Sequence, residues 1–305
     1  MAARFPGRHR RNGSAIPPGG ATETQLQHGV LWESEADLDV TMVVPFFNPG
    51  DRLRPTVEEL IAALLETGVT FEIIAVCDGS TDASLASLGG LPTETVRTVV
   101  FDDNRGKGEA IRQGFCQARG GYLGFIDADG DLPPRQIARY VEASGLTGTS
   151  VGEGSTGEGS PGPDYILGSK LHPDSNVTYP PVRWLYSKIW QSVVWALFRL
   201  PVRDTQTGIK LLRRDVVAAV LPWTVEKRFT FDLELLAIGW RLGFRSYREM
   251  PAIINERVTS TVTARGALTM FGQIFRIFYR LHVDGPPRPG PVPSRVNPDP
   301  SSPSA

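Results

Sequence analysis

The chain has 305 residues, 41% of them hydrophobic, and its 32 Lys and Arg residues nearly balance its 33 Asp and Glu residues. This length allows a large hydrophobic core in one large domain or two small ones. The near-neutral charge provides no overall basic field, so nucleic acid is not an expected partner. The cysteines, Cys77 and Cys116, suit a reducing compartment, and the polar N-terminus lacks a signal-peptide pattern, so we expect a cytoplasmic protein.

Three segments contain little that could be buried. Residues 1–36 and 284–305 are rich in Pro, Gly, Ser and Arg, and both are expected to be disordered tails. Residues 145–164 are rich in Gly, Ser and Glu, which is typical of a flexible insertion. Since the patterns on either side of this insertion fit one sheet, we expect a single domain over residues 37–283.

Strand and helix patterns alternate along the first half of this domain. Residues 39–47 form an apolar, β-branched run typical of a strand, and residues 55–68 have helical spacing with Pro55 suited to a first turn. Further strands are predicted at residues 71–78, 96–103 and 122–130, and a helix at residues 106–120. Such alternation predicts an α/β fold with a doubly wound, mostly parallel central sheet flanked by helices.

Polar side chains follow the predicted strands where each one ends: Asn48, Asp78, Asp102 or Asp103, and Asp127. In doubly wound sheets, ligands bind beyond the carboxyl ends of the strands. The sequence therefore predicts that these side chains collect along one edge of the sheet, around a ligand.

The sequence DADGD places Asp127, Asp129 and Asp131 directly after a buried strand. Mutual repulsion makes such a cluster costly unless a cation or strong donors compensate it. On a locally extended backbone, residues two apart point to the same side, and oxygen ligands suit Mg²⁺ or Mn²⁺. An EF-hand is excluded, because the sixth and twelfth positions lack the required Gly and Glu. The alternative is an Asx-type turn before Pro133.

The loop NRGKGEA, in which glycines flank Lys107, places Arg105 and Lys107 before a helix, which suits an approach to phosphate. Lys107 is not followed by Ser or Thr, and Ile111 interrupts a G-x-G-x-x-G pattern. A P-loop NTPase and a dinucleotide-binding dehydrogenase are therefore disfavoured.

Seven motifs in order carry a resemblance to a known family: VVPFFNPG, VCDGSTD, NRGKGEAIRQG, DADGD, ILGSK, DTQTGIKLLRRD and FTFDLELL. Over residues 39–283 the chain resembles the inverting family 2 glycosyltransferases of the GT-A fold, especially the dolichyl-phosphate glucosyl- and mannosyltransferases. The resemblance implies that the N-terminal half binds a nucleoside diphosphate sugar and that the second half holds the acceptor.

The resemblance also implies roles for individual residues. It places a Mg²⁺ or Mn²⁺ ion at Asp127, Asp129 and Asp131, and the donor nucleotide at Pro45, Asn48, Asp78, Lys107 and Asp127. Three positions depart from the family pattern. Cys77 stands where the family often has an Asp, Pro49 stands where a Glu is common, and Lys170 replaces an Arg and so loses the bidentate fork.

The acceptor side is predicted from two motifs. Asp204, Gln206 and Lys210 bring an acid, an amide and an ammonium group together in DTQTGIK, although this motif also fits a polar turn before a strand. Asp232 opens a predicted helix, where the helix dipole alone favours an acid. The resemblance places Asp232, Lys170, Asp204 and Gln206 in the catalytic site.

The chemistry depends on the acceptor. A hydroxyl acceptor needs a base, for which Asp232 is the candidate. A polyprenyl phosphate has a second pKa of about 6 and is already nucleophilic at neutral pH. In that case Asp232 orients the acceptor, and Lys170, Arg183 or Lys210 holds its phosphate.

Two aromatic, basic segments, residues 182–200 and 266–283, fit helices that lie on a bilayer surface. Their stripes equally fit packing against the core. Neither contains the ~18 apolar residues of a spanning helix, so we expect a peripheral protein on the cytoplasmic face of a membrane.

The sequence as a whole predicts inverting transfer of a hexose to a polyprenyl phosphate, with UDP-glucose the leading donor and GDP-mannose next. One alternative is a family 2 enzyme that acts on a soluble hydroxyl acceptor such as phosphoglycerate. The other is a catalytically silent protein that binds sugar nucleotides.

Overall fold

The computed structural model describes residues 36–146, 162–177, 181–255 and 264–283, and only the backbone at residues 181–186 and 264–269. Nearly all of both predicted tails and most of the predicted insertion at 145–164 lie outside the described residues. The limits of the predicted single domain stay a prediction.

All described strands belong to one seven-stranded sheet, with the order β3-β2-β1-β4-β6-β5-β7. Every neighbouring pair is parallel except the two pairs that β6 forms. The strands are β1 (Leu38–Phe46), β2 (Phe71–Asp78), β3 (Val96–Phe101), β4 (Gly120–Ile126), β5 (Tyr165–Ser169), β6 (Ile209–Arg213) and β7 (Tyr247–Pro251).

Helices flank both faces of the sheet. They are α1 (Leu53–Thr67), α2 (Ser84–Ser87), α3 (Lys107–Cys116), α4 (Ile137–Ser144), α5 (Pro181–Phe198), α6 (Arg214–Val220), α7 (Phe231–Leu242) and α8 (Ala264–His282). Short 3-10 turns cover Gly50–Arg52, Pro134–Gln136 and Leu221–Trp223.

The central strand β1 divides the interior into two hydrophobic clusters. Val43 belongs to the cluster under α3, α6 and α7, while its neighbours Met42 and Val44 belong to the cluster under α1 and α4. Successive side chains of a strand point to opposite faces, so an almost uninterrupted apolar strand is what a sheet covered on both sides requires. The predicted mostly parallel, doubly wound α/β architecture is confirmed.

The reversed strand β6 decides which segments meet at the edge where β4 ends. It pairs with β4 in the register Phe125 with Lys210 and Ile126 with Ile209. Because β6 runs antiparallel, its first residues lie beside the last residues of β4. The DTQTG segment that leads into β6 therefore meets the aspartates that follow β4.

Candidate active site

The aspartates after β4 form a turn. The amide of Asp127 donates to the carbonyl of Gly208 at 3.0 Å, and the Asp129 carboxylate accepts the amide of Asp131 at 3.0 Å. The predicted extended backbone is therefore wrong beyond Asp127, and the alternative Asx-type turn is present. The turn is also held from outside, because Arg52 donates to the Asp129 carbonyl and Asn255 to the Asp131 carbonyl.

Gly208 makes room for Asp127. A Cβ atom at this glycine would lie 1.8 Å from an oxygen of the Asp127 carboxylate. Only glycine lets a carboxylate approach the backbone so closely. Gly208 therefore packs directly against the first aspartate of the DADGD motif.

The Lys107 ammonium group lies among carboxylates. It is 2.6 Å from Asp127 and 3.9 Å from Asp232, and its side chain is 19% exposed. Burial by itself lowers the pKa of Lys107, but Asp127 and Asp232 together raise it above its ordinary value. Lys107 therefore stays charged and compensates both acids.

Lys210 faces the same oxygen of Asp232 as Lys107 does, and it is completely buried. Its ammonium donates to the Thr207 carbonyl at 2.6 Å and lies 3.5 Å from the Asp232 carboxylate. Burial lowers the pKa of Lys210, an effect that Asp232 opposes. Since the side chain does not reach solvent, it holds Asp232, and the structure does not bear out the expectation that it binds an acceptor phosphate directly.

The ring of Phe125 lies beneath both lysines, 5.4 Å from the Lys107 ammonium and 5.2 Å from that of Lys210. A cation near an aromatic face is stabilised by the ring quadrupole. Sequence reasoning missed Phe125, because its role follows from the register of β4 with the reversed strand β6.

Asp232 lies in the first turn of α7 and is 4% exposed. One of its oxygens faces Lys210 and Lys107, and the other, Oδ1, is buried without a hydrogen-bond partner among the described residues. A buried carboxylate oxygen is costly to leave unpaired. The helix dipole accounts for an acid here but not for the bare oxygen, which is suited to a ligand that donates a hydrogen bond.

Asp78 and Asn48 hold loops together. The Asp78 carboxylate accepts the amides of Arg105 and Gly106, at 2.6 and 2.9 Å. The Asn48 side chain accepts the amide of Thr81 at 2.8 Å. These bonds shape the loops around the predicted nucleotide site.

The N-terminus of α3 is capped from a distant segment. The carbonyl of Lys227 accepts the amides of Gly108 and Glu109, at 2.8 and 3.2 Å. The amides of Gly108 and Glu109 thus bind Lys227, as those of Arg105 and Gly106 bind Asp78, and the approach of a phosphate to Arg105 and Lys107 stays a prediction. The cationic side chains that this loop offers to a ligand are those of Arg105 and Lys107.

Asp204 organises the turn before β6. Its carboxylate accepts the amides of Gln206 and Thr207 at 2.8 and 3.1 Å, and the amide of Lys170 at 3.0 Å. Asp204 thus fixes the end of β5 to this turn. Within the described part of the chain, no carboxylate pairs with the Lys170 ammonium.

Two other predicted positions lie in the sheet. Pro45 is buried near the end of β1, and the pairing of β1 with β4 ends two residues earlier, at Val43 and Phe125. Cys77 is 2% exposed and belongs to the hydrophobic cluster beneath α1. The thiol that replaces the family's carboxylate therefore points into the core.

The oxygen atoms after β4 fit a divalent cation. Burial raises the pKa of Asp129, and the negative charge of Asp127 raises it further. A bound cation would relieve the repulsion between these two carboxylates. Among the described residues, no three His, Cys, Asp or Glu side chains converge on a metal position. An ion held by Asp127 and Asp129 therefore needs further oxygen ligands, which a diphosphate provides.

The aromatic stripes of α5 and α8 are divided between core and solvent. Trp190 and Phe271 pack against the core and each other, with ring centroids 5.8 Å apart. Trp195, Phe275 and Tyr279 are each more than half exposed. Within the described residues, no helix has both the length and the apolar character needed to cross a bilayer.

Comparison with known proteins identifies the family. The profile of glycosyl transferase family 2 matches residues 41–221. The dolichyl-phosphate beta-glucosyltransferases of Saccharomyces cerevisiae and Drosophila melanogaster are 28% and 30% identical, over 68% and 69% of this chain. Each match spans 65% of the relative, so the chain spans slightly under two thirds of the curated relatives it matches.

Solved structures confirm the fold. The glucosyl-3-phosphoglycerate synthase of Mycobacterium tuberculosis, crystallised with Mn²⁺, UDP and phosphoglyceric acid, superimposes with a TM-score of 0.57. It is 16% identical, and the match covers 86% of this chain and 84% of that one. The GT-A fold expected from the sequence is confirmed.

Proposed function

This chain belongs to glycosyl transferase family 2, and on that premise we propose that it transfers a hexose from a nucleoside diphosphate sugar to a polyprenyl phosphate, with inversion at the anomeric carbon. The observation that carries the proposal is the buried Asp232 carboxylate, which faces Lys107 and Lys210, with Lys107 also bound to Asp127. Acids and ammonium groups meet there at the edge of the sheet where ligands of α/β proteins bind.

The donor lies over the turn after β4 in this proposal. Asp127 and Asp129 would hold Mg²⁺ or Mn²⁺, and a bound ion would supply positive charge for the leaving diphosphate. Lys107 supplies a second positive charge beside Asp127. Asp131 completes the turn, while Asn48, Asp78 and Pro45 shape the nucleotide pocket. UDP-glucose is the leading donor, since the names of the relatives support glucose as the sugar, and GDP-mannose follows.

The acceptor phosphate approaches from the side of Lys170 and Asp232. Lys170 follows the end of β5, its amide is fixed by Asp204, and we assign its ammonium to the acceptor phosphate. A phosphate monoester with a second pKa of about 6 needs no base at neutral pH. One of its oxygens attacks the anomeric carbon as the bond between that carbon and the nucleoside diphosphate breaks and the diphosphate leaves. Asp232 acts on orientation through Lys107 and Lys210, and Gln206 and Asp204 maintain the neighbouring turn.

A lipid acceptor requires that the site face a membrane. Lys227, Arg228 and Phe229 are exposed at the tip of the segment before α7, and Phe275 and Tyr279 are exposed on α8. Aromatic side chains interspersed with basic ones favour an interface with anionic headgroups. We place this surface against the cytoplasmic face of the membrane.

Transfer of radiolabel tests the proposal. The chain is incubated with labelled UDP-glucose or GDP-mannose, Mg²⁺ or Mn²⁺, and a polyprenyl phosphate in detergent, and the butanol-extractable label is counted. Label in the lipid phase supports the proposal and identifies the donor. Metal-dependent transfer to phosphoglycerate without lipid label would show that the acceptor is soluble and not a polyprenyl phosphate. Donor binding with neither transfer nor hydrolysis would point to a catalytically silent binding protein.

A further inference from the structure

Two buried carboxylates lie beneath α8, outside the cluster around Asp232. The Glu234 side chain is fully buried and that of Glu226 is 3% exposed. Arg280 binds Glu234, and Arg276 binds Glu226 with a nitrogen-oxygen distance of 2.8 Å. Buried carboxylates are strongly destabilising without a cationic partner, so the two arginines of α8 are needed to keep these acids in place.

The same carboxylates fix the segment of residues 224–230, which we call the bridge segment. Glu234 accepts the amides of Val225 and Glu226, at 2.9 and 2.7 Å. Glu226 lies 3.1 Å from the hydroxyl of Thr230, the residue that precedes α7. The bridge segment is thus held at its beginning and its end by acids whose charges α8 compensates.

The bridge segment in turn caps the helix that carries Lys107. The carbonyl of Lys227 accepts the amides of Gly108 and Glu109. A Cβ atom at Gly106 would lie 2.4 Å from this carbonyl oxygen, and one at Gly108 would lie 2.6 Å from Cβ of Phe231. Contacts this close leave little freedom, so movement of the bridge segment displaces the first turn of α3.

We propose that Arg276 and Arg280 are positioning residues, which act through Glu226, Glu234 and the bridge segment to set Lys107 against Asp127 and Asp232. The path is continuous, from α8 through two carboxylates to the Lys227 carbonyl and then to the first turn of α3. Asp232 is on the same path, because α7 begins where the bridge segment ends. Docking of α8 therefore assembles both sides of the acid and lysine cluster.

Amide hydrogen exchange tests this path without any substrate. In Arg280→Met, we expect the amides of Gly108 and Glu109 to exchange faster than in the unchanged protein, while amides of β1 keep their protection. Arg280→Lys, which keeps a positive charge, should restore part of the protection. The matched control is Arg241→Met, at an exposed arginine of α7, which should leave both amides unchanged. Arg276→Gln, at a residue whose side chain is 62% exposed, gives a milder second variant in case Arg280→Met does not fold.

Kinetics provide the second measurement, which rests on the proposed function. Misplacement of a catalytic group by about 1 Å can cost about 10²-fold in rate, so kcat of Arg280→Met should fall by up to that factor, with a much smaller change in KM for the nucleotide sugar. Unchanged exchange at Gly108 and Glu109, or equally faster exchange in β1, would overturn the proposal. If the unchanged protein transfers no sugar, the proposed function fails, and the exchange experiment still decides the positioning role.

Discussion

The Lys107 ammonium lies 2.6 Å from the Asp127 carboxylate, at the place where a divalent cation is proposed to bind. Lys107 and the proposed metal ion therefore bind the same carboxylate, that of Asp127. Because Lys107 also lies 3.9 Å from Asp232, one ammonium group links the donor side of the site to the acceptor side.

Lys107→Met should destabilise the protein, because it leaves Asp127 and Asp232 without this compensation. Breaking a buried ion pair costs about 3–5 kcal/mol, and since the Asp127 side chain is 29% exposed, we expect a loss of about 1–3 kcal/mol. Denaturant unfolding measures it. Added Mn²⁺ should recover part of the loss, because the cation can take the place of the ammonium beside Asp127.

The matched control is Arg105→Met, in the same loop. Arg105 pairs with Asp103 at 3.2 Å, but both side chains are well exposed, so its loss should cost less than about 1 kcal/mol. Equal unfolding free energies for the two variants would contradict the role assigned to Lys107.

Asp129→Asn should abolish the metal-dependent part of donor binding. The amide oxygen of Asn can still accept the Asp131 amide, so the turn is kept while the charge is lost. Calorimetric titration of UDP-glucose with Mn²⁺ should show affinity reduced by at least about 10-fold to 100-fold, and titration in EDTA should show no difference from the unchanged protein. Metal-dependent affinity equal to that of the unchanged protein would remove Asp129 from the metal site.

The sequence predicted the alternating elements of the sheet well, because β1 and β4 are apolar on both faces and the helices between them are amphipathic. The roles of Asp127 and Asp232 in the site stay predictions, and that of Asp232 rests on the resemblance. Contacts between residues far apart in the sequence decide the arrangement of the other groups in the site. The cap that Lys227 places on Gly108 joins residues more than a hundred positions apart, and no local pattern encodes it.

The direction of β6 explains why the surroundings of Lys210 differ from those expected. A run such as IKLL predicts a strand but carries no signal for parallel or antiparallel pairing. Only the antiparallel register brings Lys210 beside Phe125 and buries its ammonium against Asp232. From the sequence, Lys210 was therefore expected to meet the acceptor, whereas in the fold it supports an acid.

Gly208→Ala tests the packing of Asp127. The added methyl group would overlap the carboxylate, so Asp127 must turn away from Lys107, at a cost of about 1–3 kcal/mol for overpacking. Donor binding in Mn²⁺ should weaken together with thermal stability. Gly272→Ala in α8 is the control, since its Cβ atom would meet nothing within 4 Å and alanine favours the helix by up to about 1 kcal/mol. If both variants bound the donor alike, Asp127 would not depend on Gly208.

Asp232→Asn distinguishes the two kinds of acceptor. A general base contributes about 10²–10⁴-fold to rate, so loss of a base would reduce turnover by that factor. A phosphate acceptor needs no proton removed, and we therefore expect turnover with polyprenyl phosphate to fall by less than about 10²-fold.

The measurement is the initial rate of lipid glycosylation at saturating donor, with thermal unfolding of the same sample recorded in parallel. The unfolding control is necessary because Lys210 is fully buried and loses its carboxylate partner in this variant. Turnover reduced by three orders of magnitude or more, with donor binding and unfolding temperature preserved, would show that Asp232 removes a proton. Such a loss would contradict the mechanism in which the acceptor phosphate needs no base.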